Sequence, residues 1–274
     1  MGERTWRIDA GVARDLAEAL GWAGGDGPAA LAVRLPERVP TGSTAKLAAV
    51  AAGEVPPGAD VDALAKQVLA HQLAIGSAPP GGAPSPSWSC WVLATVMAAL
   101  VDYAEVGPVR VAATRRIDEG APVVDVHAAV VADVEGTTWA CDPFFGIGLP
   151  IPTAPDEVVE GTAGPCWAAL GPEPDHGWDL SVRLDHWGTT LRYRVLGPAL
   201  DRGDVHALAA VSVTHTGVAN RPFARLHVDG RVVDASCDED GHGRFTDHPA
   251  ATEVLPTWAD AVDAFAARTG TRPT

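Results

Sequence analysis

The first 75 residues carry apolar side chains at helical spacing in two stretches, residues 10–20 and residues 61–73. In each stretch the apolar positions return every three or four residues and so form one stripe along a helix. Asp9 precedes the first stretch, where a carboxylate caps the free N–H groups of a helix. The pattern predicts two helices, and the segment between them, rich in Pro and Ala, stays ambiguous.

A third helix is predicted over residues 89–105, after a stretch, 76–88, whose Pro and Gly content argues against regular structure. The sequence SWSCWVLATVMAAL places Cys90 between two tryptophans at the start of this helix. A helix N-terminus favours an anion such as a thiolate. Cys90 is therefore either a buried packing thiol or an activated nucleophile.

From residue 109 onward the pattern changes to strands. VRVAATRRI, VVDVHAAVVADV and TTWACD alternate or run apolar at strand length, and EGT between the last two predicts a hairpin turn. Residues 150–180 are rich in Pro, Gly and Trp and are expected to form a long excursion. Strands resume at LRYRVL, HALAAVSVTHT and FARLHVDGRVVDA, where Asp229-Gly230 favours a hairpin.

A final helix is expected over residues 258–268, with Thr257 as its cap and Asp260 three residues later, close to a capping box. The order of elements is helices, then strands, then a terminal helix. That order favours an α+β architecture over a doubly wound parallel sheet.

Composition and charge exclude several classes of protein. The chain has 274 residues and a net charge of −15, which repels phosphate backbones and argues against nucleic-acid binding. Apolar runs fall short of the roughly 18 residues of a membrane span. The N-terminus has regular charges and no apolar signal core, which predicts a cytoplasmic, reducing location. Free thiols are then expected at Cys90, Cys141, Cys166 and Cys237.

Metal binding has little support in the sequence. No C-x-x-C pair or H-E-x-x-H motif occurs. The acidic stretch DEDGHGRFTDH, residues 238–248, lacks the spacing of a calcium loop and fits a solvated hairpin tip better. We therefore expect no metal.

Candidate chemistry comes from three residues at suggestive spacing. His127 follows Cys90 by 37 positions, and Asp142 follows His127 by 15. A hairpin about EGT would place His127 and Asp142 on paired strands, at similar distances from the turn, so a side-by-side register is available. A histidine oriented by a carboxylate can take the proton of a cysteine. Each residue alone is more often structural, and only the combination indicates a site.

This combination resembles the Cys-His-Asp superfamily that contains the arylamine N-acetyltransferases and the transglutaminase-like proteins. CDPFFG is similar to the acetyltransferase motif D-V-G-F-G, with Asp142, Phe145 and Gly146 matching. The resemblance implies a helical bundle carrying the nucleophile helix, an antiparallel β-barrel carrying His and Asp, and a C-terminal α/β lid around a cysteine-proteinase-like core. The corresponding ranges are 1–107, 108–215 and 216–274.

The same resemblance implies an enzyme. Cys90 would be the acyl-accepting nucleophile, His127 its base and Asp142 the residue that orients His127. An acetyl or longer acyl group would pass from acetyl-coenzyme A or another acyl-coenzyme A to a small amine in a ping-pong cycle. Trp88, Phe144 and Phe145 are the candidate substrate-binding residues, and Phe144 replaces a glycine of the family motif.

The cysteine motif leaves alternatives open. Acetyltransferases carry R-G-G-x-C-x-E-x-N around the cysteine, whereas Pro86 and Val92 stand here at the Arg and Glu positions. A transglutaminase-like amidase or peptidase with the same three residues is a second hypothesis. A catalytically inactive binding protein of this fold is a third. The sequence carries no signal for an oligomeric state.

Overall fold

The computed structural model describes most of the chain: residues 6–52, 60–75, 83–116, 125–154, 157–163, 166–173, 177–184, 189–195, 200–201, 203–205, 207, 221–250 and 252–274. Its helices are α1 Ala10–Leu20, α2 Gly27–Arg38, α3 Thr44–Ala51, α4 Val61–Ile75, α5 Cys90–Tyr103 and α6 Trp258–Thr269.

The first helix confirms the prediction from its cap and its stripe. One carboxylate oxygen of Asp9 accepts hydrogen bonds from the backbone N–H groups of Gly11 and Val12, at 2.9 and 3.1 Å. These bonds satisfy two donors that a helix start leaves unpaired. Leu16 and Leu20 are fully buried on the inner face.

Two helices, α2 and α3, occupy the segment whose structure the sequence left open. Pro28 near the start of α2 takes a position where its missing N–H is not needed. Leu31 and Leu35 of α2 are fully buried, four residues apart on one face. Pro36 stands inside the last turn of α2. Because proline usually interrupts a helix, the sequence pattern did not predict a helix here.

Helix α5 forms the centre of the core. Every residue from Cys90 to Val101 is buried. A helix that is apolar on all sides is enclosed by other elements. Residues of α1, α2, α4 and strands β3 Val109–Arg116 and β4 Asp125–Val134 surround it. The start of this helix is therefore held by the interior of the protein.

The larger sheet is antiparallel and has eight strands. Besides β3 and β4 it contains β5 Thr137–Asp142, β6 Ile147–Pro150, β7 Val159–Ala163, β8 Cys166–Glu173, β9 Gly177–Leu184 and β10 Thr189–Val195. The order across the sheet is β6-β5-β4-β3-β10-β9-β8-β7. The strands β3 to β5 and β10 agree with the predicted ones.

The predicted barrel is not closed in the described part of the chain. Strands β6 and β7 are the two edges of the sheet, and no strand pairing joins them there. The sheet nevertheless curls, and its two edges come close together. A Cβ added at Gly161 of β7 would lie 2.6 Å from a methyl carbon of Leu149 of β6. The expectation of a closed barrel is corrected to a curled open sheet.

Two loop predictions are also wrong. Strands β7, β8 and the first half of β9 lie within residues 150–180, which we expected to form an irregular excursion. Their Gly, Pro and Trp residues interrupt the alternation of apolar and polar side chains by which a strand is recognised in a sequence. Residues 83–85 form strand β2 Ala83–Ser85, which pairs in parallel with β15 Thr271–Pro273. The predicted strand HALAAVSVTHT lies almost entirely outside the described residues.

A second sheet and α6 form the C-terminal part. The strands are β1 Thr41–Gly42, β11 Phe223–Val228, β12 Arg231–Cys237, β13 Gly243–Asp247 and β14 Glu253–Leu255, in the order β1-β11-β12-β13-β14. Phe265 of α6 is fully buried against the apolar face of this sheet. Thr257 and Asp260 form the predicted capping box.

The architecture is α+β, with helices first and a sheet and helix last, as predicted. The division at residues 107 and 215 stays a prediction. Strand β1 lies in the first predicted domain but pairs with β11 of the third, so these two predicted domains share one sheet. In the part of the chain that the structure describes, no helix has the length and apolarity to cross a membrane.

Candidate active site

The hairpin β4–β5 brings His127 and Asp142 together. Its strands are joined by Glu135 and Gly136, both with positive φ, as the EGT pattern predicts. Val130 pairs with Cys141, so Asp142 lies two positions diagonally from His127 on the same face. The imidazole Nε2 of His127 is 2.6 Å from the carboxylate Oδ2 of Asp142.

A β-bulge sets the orientation of the His127 side chain. The register between β3 and β4 shifts between Thr114 and Arg115, immediately beside the position where Thr114 pairs with His127. A bulge bends its strand and redirects the neighbouring side chain. This irregularity was not predicted from the sequence, because neither strand carries a glycine or proline at the shift.

Asp142 is fully buried and uses both carboxylate oxygens. Oδ2 faces His127, while Oδ1 accepts hydrogen bonds from the backbone N–H groups of Phe144 and Phe145, at 3.0 and 3.3 Å. The turn that supplies these donors ends at Gly146, whose φ is 73°. A Cβ at Gly146 would lie 2.9 Å from the ring of Pro36, so glycine permits the close packing of this turn.

Cys90 is the first residue of α5 and is only 9% exposed. Its thiol is hydrogen-bonded to the imidazole of His127. Ser89, the preceding residue, makes no capping hydrogen bond with its side chain. Cys90 therefore stands at a helix N-terminus that Ser89 does not cap with its side chain, a position where an anion is favoured. The structure thus brings Cys90, His127 and Asp142 into one hydrogen-bonded series.

The electrostatics of the series favour a charged imidazole. Burial lowers the pKa of His127, but the carboxylate of Asp142 and the thiolate of Cys90 outweigh burial and raise the pKa to about 10. For the thiol of Cys141, next to Asp142, the surroundings favour the neutral form rather than a charged one. Burial and the negative charge of Asp142 both raise the pKa of Cys141, so this thiol stays protonated.

The segment before Cys90 is fixed from two sides. The backbone N–H of Ser87 donates to Thr44 Oγ1 at 2.7 Å, and the N–H of Thr44 donates to Ser87 Oγ at 2.9 Å. Ser87 Oγ also donates to the carbonyl of Phe223 at 2.7 Å. A Cβ at Gly42 would lie 2.0 Å from that carbonyl oxygen, so only glycine allows β1 and β11 to approach here.

A fourth ionisable residue, Lys46, lies close to this cluster. It stands in the first turn of α3 and is 5% exposed. Burial lowers the pKa of Lys46, and the negative charge of Cys90 opposes that effect. The sequence analysis missed this residue. A signal was present, because Lys46 and Lys66 are the only lysines among the 20 basic residues.

The aromatic candidates divide into two groups. Phe144 is half-buried and its ring meets the imidazole of His127 edge to face, with 5.7 Å between centroids. Phe145 is 1% exposed and belongs to the core of the curled sheet, and Trp88 is 3% exposed and packs against His71. The ring of Phe145 also lies 5.4 Å from that of His127, and the contact of these three aromatic residues with substrate stays a prediction.

An open pocket of about 570 Å³ lies on the face of the C-terminal sheet opposite α6. Its lining includes Arg221, Phe223, Asp234 and Arg244. The ring of Phe223 is 6.5 Å from that of Phe144, so the pocket borders the aromatic residues next to His127.

The acidic stretch 238–248 forms the hairpin tip between β12 and β13. Ligand-type atoms of Asp238, Asp240 and His242 lie within 4.8 Å of one another there. Asp238 Oδ1 accepts hydrogen bonds from the backbone N–H groups of Asp240 and His242, at 3.0 and 2.9 Å. The turn itself therefore accounts for this arrangement.

Comparison with known proteins identifies the fold. No protein-family model and no curated protein sequence matches the chain. Solved structures do match. The arylamine N-acetyltransferase from Mycobacterium abscessus is similar over 100% of this chain and 94% of its own, with 12% identity and a TM-score of 0.72. The Nocardia farcinica arylamine N-acetyltransferase has 14% identity over 100% of this chain and 95% of its own, with a TM-score of 0.71.

A third similar structure is the arylamine N-acetyltransferase NAT3 from Bacillus cereus, which is described as having a Cys-His-Glu catalytic triad. The match covers 99% of this chain and 100% of that one, with 11% identity and a TM-score of 0.68. The chain therefore has the fold of arylamine N-acetyltransferases, as its resemblance to that family predicts. Its sequence has diverged far from these structures.

Proposed function

We propose that the protein is an acyltransferase that moves an acetyl or longer acyl group from an acyl-coenzyme A to an amine through a thioester on Cys90. The observation that carries this proposal is the buried series in which Cys90 is hydrogen-bonded to His127 and His127 to Asp142. The acetyltransferase fold supports acyl transfer as the reaction class.

The first half-reaction begins with a charged pair. At neutral pH the raised pKa of His127 keeps its imidazole protonated, which favours Cys90 as thiolate. The thiolate attacks the carbonyl carbon of the acyl donor, and the bond from that carbon to the coenzyme sulfur breaks. The coenzyme thiolate leaves and takes the proton of His127. Cys90 is now a neutral thioester and His127 is neutral.

The second half-reaction reverses the proton transfer. The amine nitrogen attacks the thioester carbon, and His127 accepts the proton that the nitrogen loses. The bond from carbon to Cys90 sulfur breaks, which returns the thiolate and the imidazolium. Asp142 keeps the imidazole oriented through its 2.6 Å contact with Nε2 and stabilises the charge of the ring.

The start of α5 is suited to the oxyanion of both half-reactions. Ser89 does not cap the helix with its side chain, so that side chain leaves the backbone N–H groups of the first turn available to the carbonyl oxygen of a thioester on Cys90. Such preorganised donors stabilise the charge that develops on the carbonyl oxygen. Phe144, beside His127 and next to the pocket at Phe223, borders the approach of the amine.

Intact-mass measurement after incubation with acetyl-coenzyme A tests this function. We expect one acetyl group on Cys90, its loss on addition of an arylamine, and no adduct in Cys90→Ala. Cys237→Ala is the control, since Cys237 is half-buried on β12 and outside the series.

Absence of the adduct, in protein whose Cys90 still reacts with iodoacetamide, would contradict the proposed acyl donor. Release of ammonia from a glutamine peptide would then favour the transglutaminase-like alternative. A folded protein without either reaction would be a binding protein of this fold.

A further inference from the structure

Lys46 is a buried cation to which the reaction outlined above gives no role. It is 5% exposed, whereas the side chain of Lys66, the other lysine, is 57% exposed and forms a surface ion pair with Asp62. An ammonium group is rarely buried unless a compensating charge lies nearby. The position of Lys46 therefore calls for a negative partner in the interior.

The fold places Lys46 beside the nucleophile. Thr44, at the start of α3, exchanges two hydrogen bonds with Ser87, and the N–H of Ala45 donates to the Ser87 carbonyl at 3.2 Å. Lys46 follows one residue after Ala45, and Cys90 follows three residues after Ser87. The two helix starts are thus joined, and the charges of Lys46 and Cys90 act on one another.

Among the side chains that the structure describes around Cys90, the charges balance when Lys46 is included. A thiolate at Cys90 and a carboxylate at Asp142 face a single imidazolium at His127, which leaves one negative charge in excess. All three side chains are buried, and an uncompensated charge is costly there. The ammonium of Lys46 makes the cluster neutral. Arg225 and Asp234, on the neighbouring strands β11 and β12, pair with one another and leave this balance unchanged.

We infer that Lys46 is a positioning residue whose ammonium group holds Cys90 in the thiolate form, as the fourth charged member of the site. This inference rests on the proposed function for its role in catalysis. The cation comes from α3, because Pro86 and Val92 leave the segment around Cys90 without a charged side chain.

The choice of lysine in a chain with 18 arginines is informative. A guanidinium keeps its proton in proteins, whereas a buried ammonium can lose it. When Cys90 becomes a neutral thioester, the negative charge that supports the ammonium disappears. The pKa of Lys46 then falls further, because burial is no longer opposed. Lys46 thus supports the thiolate without leaving a permanent buried charge in the acylated enzyme.

The first test measures iodoacetamide alkylation of Cys90 against pH by peptide mass. A shift of one pH unit in a titration midpoint changes the thiolate fraction about tenfold below that midpoint. We therefore expect Lys46→Met to slow alkylation at pH 6 by at least about tenfold. Lys46→Arg should restore most of the rate, and the control Lys66→Met should match the native protein.

An unchanged pH profile in folded Lys46→Met would overturn the inference. Equal slowing in Lys46→Arg and Lys46→Met would also overturn it, because shape rather than charge would then matter. Neither readout requires an acyl donor, so a failure of acetylation with a positive result here would affect only the proposed reaction.

A second measurement does not depend on the folding of Lys46→Met. With lysine labelled at the ε-carbon, the chain gives two signals by nuclear magnetic resonance, one for each lysine. In Cys90→Ser, which cannot form a thiolate near neutral pH, the Lys46 signal should titrate at lower pH than in the native protein, and the Lys66 signal should not move. Identical Lys46 titrations in the two proteins would refute the inference.

Discussion

His127 and Asp142 meet diagonally across the β4–β5 hairpin, with 2.6 Å between Nε2 and Oδ2, although neither residue is directly opposite the other. The diagonal leaves the second ring nitrogen of His127 to face Cys90. The series of three residues thus depends on the register of one hairpin.

Replacing Asp142 by Asn should keep the hydrogen-bonding shape and remove the charge. The pKa of His127 should fall, since the charge of Asp142 is the larger of the two charges, with that of Cys90, that oppose the effect of burial. Acyl transfer should drop by roughly 10⁴-fold in kcat, as in other triads that lose this carboxylate. Histidine titration by nuclear magnetic resonance and steady-state rates measure the two effects. Asp133→Asn, on the same hairpin but exposed, is the control; an unchanged rate in Asp142→Asn would rule out the assigned role.

Stability should depend on pH through His127. Its pKa is raised in the folded protein from 6.5 to about 10 by Asp142 and by the thiolate of Cys90. Between pH 6.5 and about 8.5 the unfolded chain keeps one proton on the Cys90 thiol and the folded pair keeps one on His127, so stability does not change with pH through this pair. Above about pH 8.5 the unfolded thiol loses its proton, and the stabilisation is lost as pH rises through about 10. Relative to His127→Gln, the free energy of unfolding should fall by about 1.4 kcal/mol per pH unit in this upper window. Urea unfolding at several pH values measures the difference; parallel curves for the two proteins would contradict a raised pKa.

Phe144 should set the size of the amine. Its half-buried ring stands edge-on to His127, so it occupies space beside the nucleophile rather than in the core alone. Phe144→Gly should raise the turnover of a bulky aromatic amine relative to a small one by at least about tenfold, because even one methylene of misfit is worth roughly 1–3 kcal/mol. Phe245→Ala, in the C-terminal sheet, should leave the ratio unchanged. The same ratio in native protein and Phe144→Gly would assign Phe144 to packing.

The C-terminal sheet should depend on the ion pair of Arg225 and Asp234. Arg225 is fully buried and donates two hydrogen bonds to Asp234, at 2.7 and 3.0 Å. Asp234→Ala removes the carboxylate that pairs with the buried guanidinium of Arg225, and should lower the free energy of unfolding by about 3–5 kcal/mol. Asp263→Ala removes an exposed partner of Arg272 and should cost less than about 1 kcal/mol. Denaturant unfolding compares the variants, and equal losses would show that burial of Arg225 is not decisive.

Local signals explain what the sequence predicted well. Asp9, the EGT turn and the pair Thr257 and Asp260 each act over a few residues, and the structure has the cap, the hairpin and the capping box there. The contact of His127 with Asp142 followed from the same hairpin, since a short turn limits the possible registers.

Features that depend on distant partners were missed. Strands β7 to β9 carry Gly, Pro and Trp, and their pairing rather than their composition makes them strands. The short strand β2 exists because β15, nearly 190 residues later, lies beside it. Lys46 is 44 positions from Cys90, and only tertiary packing shows that their charges interact. The catalytic roles of the site residues stay predictions.

The hydrogen bond from Ser87 to the carbonyl of Phe223 spans 136 positions of the chain. Ribosomes add about 5–20 residues per second, so Ser87 and Cys90 emerge roughly 7–27 seconds before Phe223 is available. During that interval the segment before Cys90 lacks one of its two anchors. The reactive thiol is therefore completed late in biosynthesis, which shortens the time in which a nascent chain exposes an activated cysteine to the acyl thioesters and electrophiles of the cell.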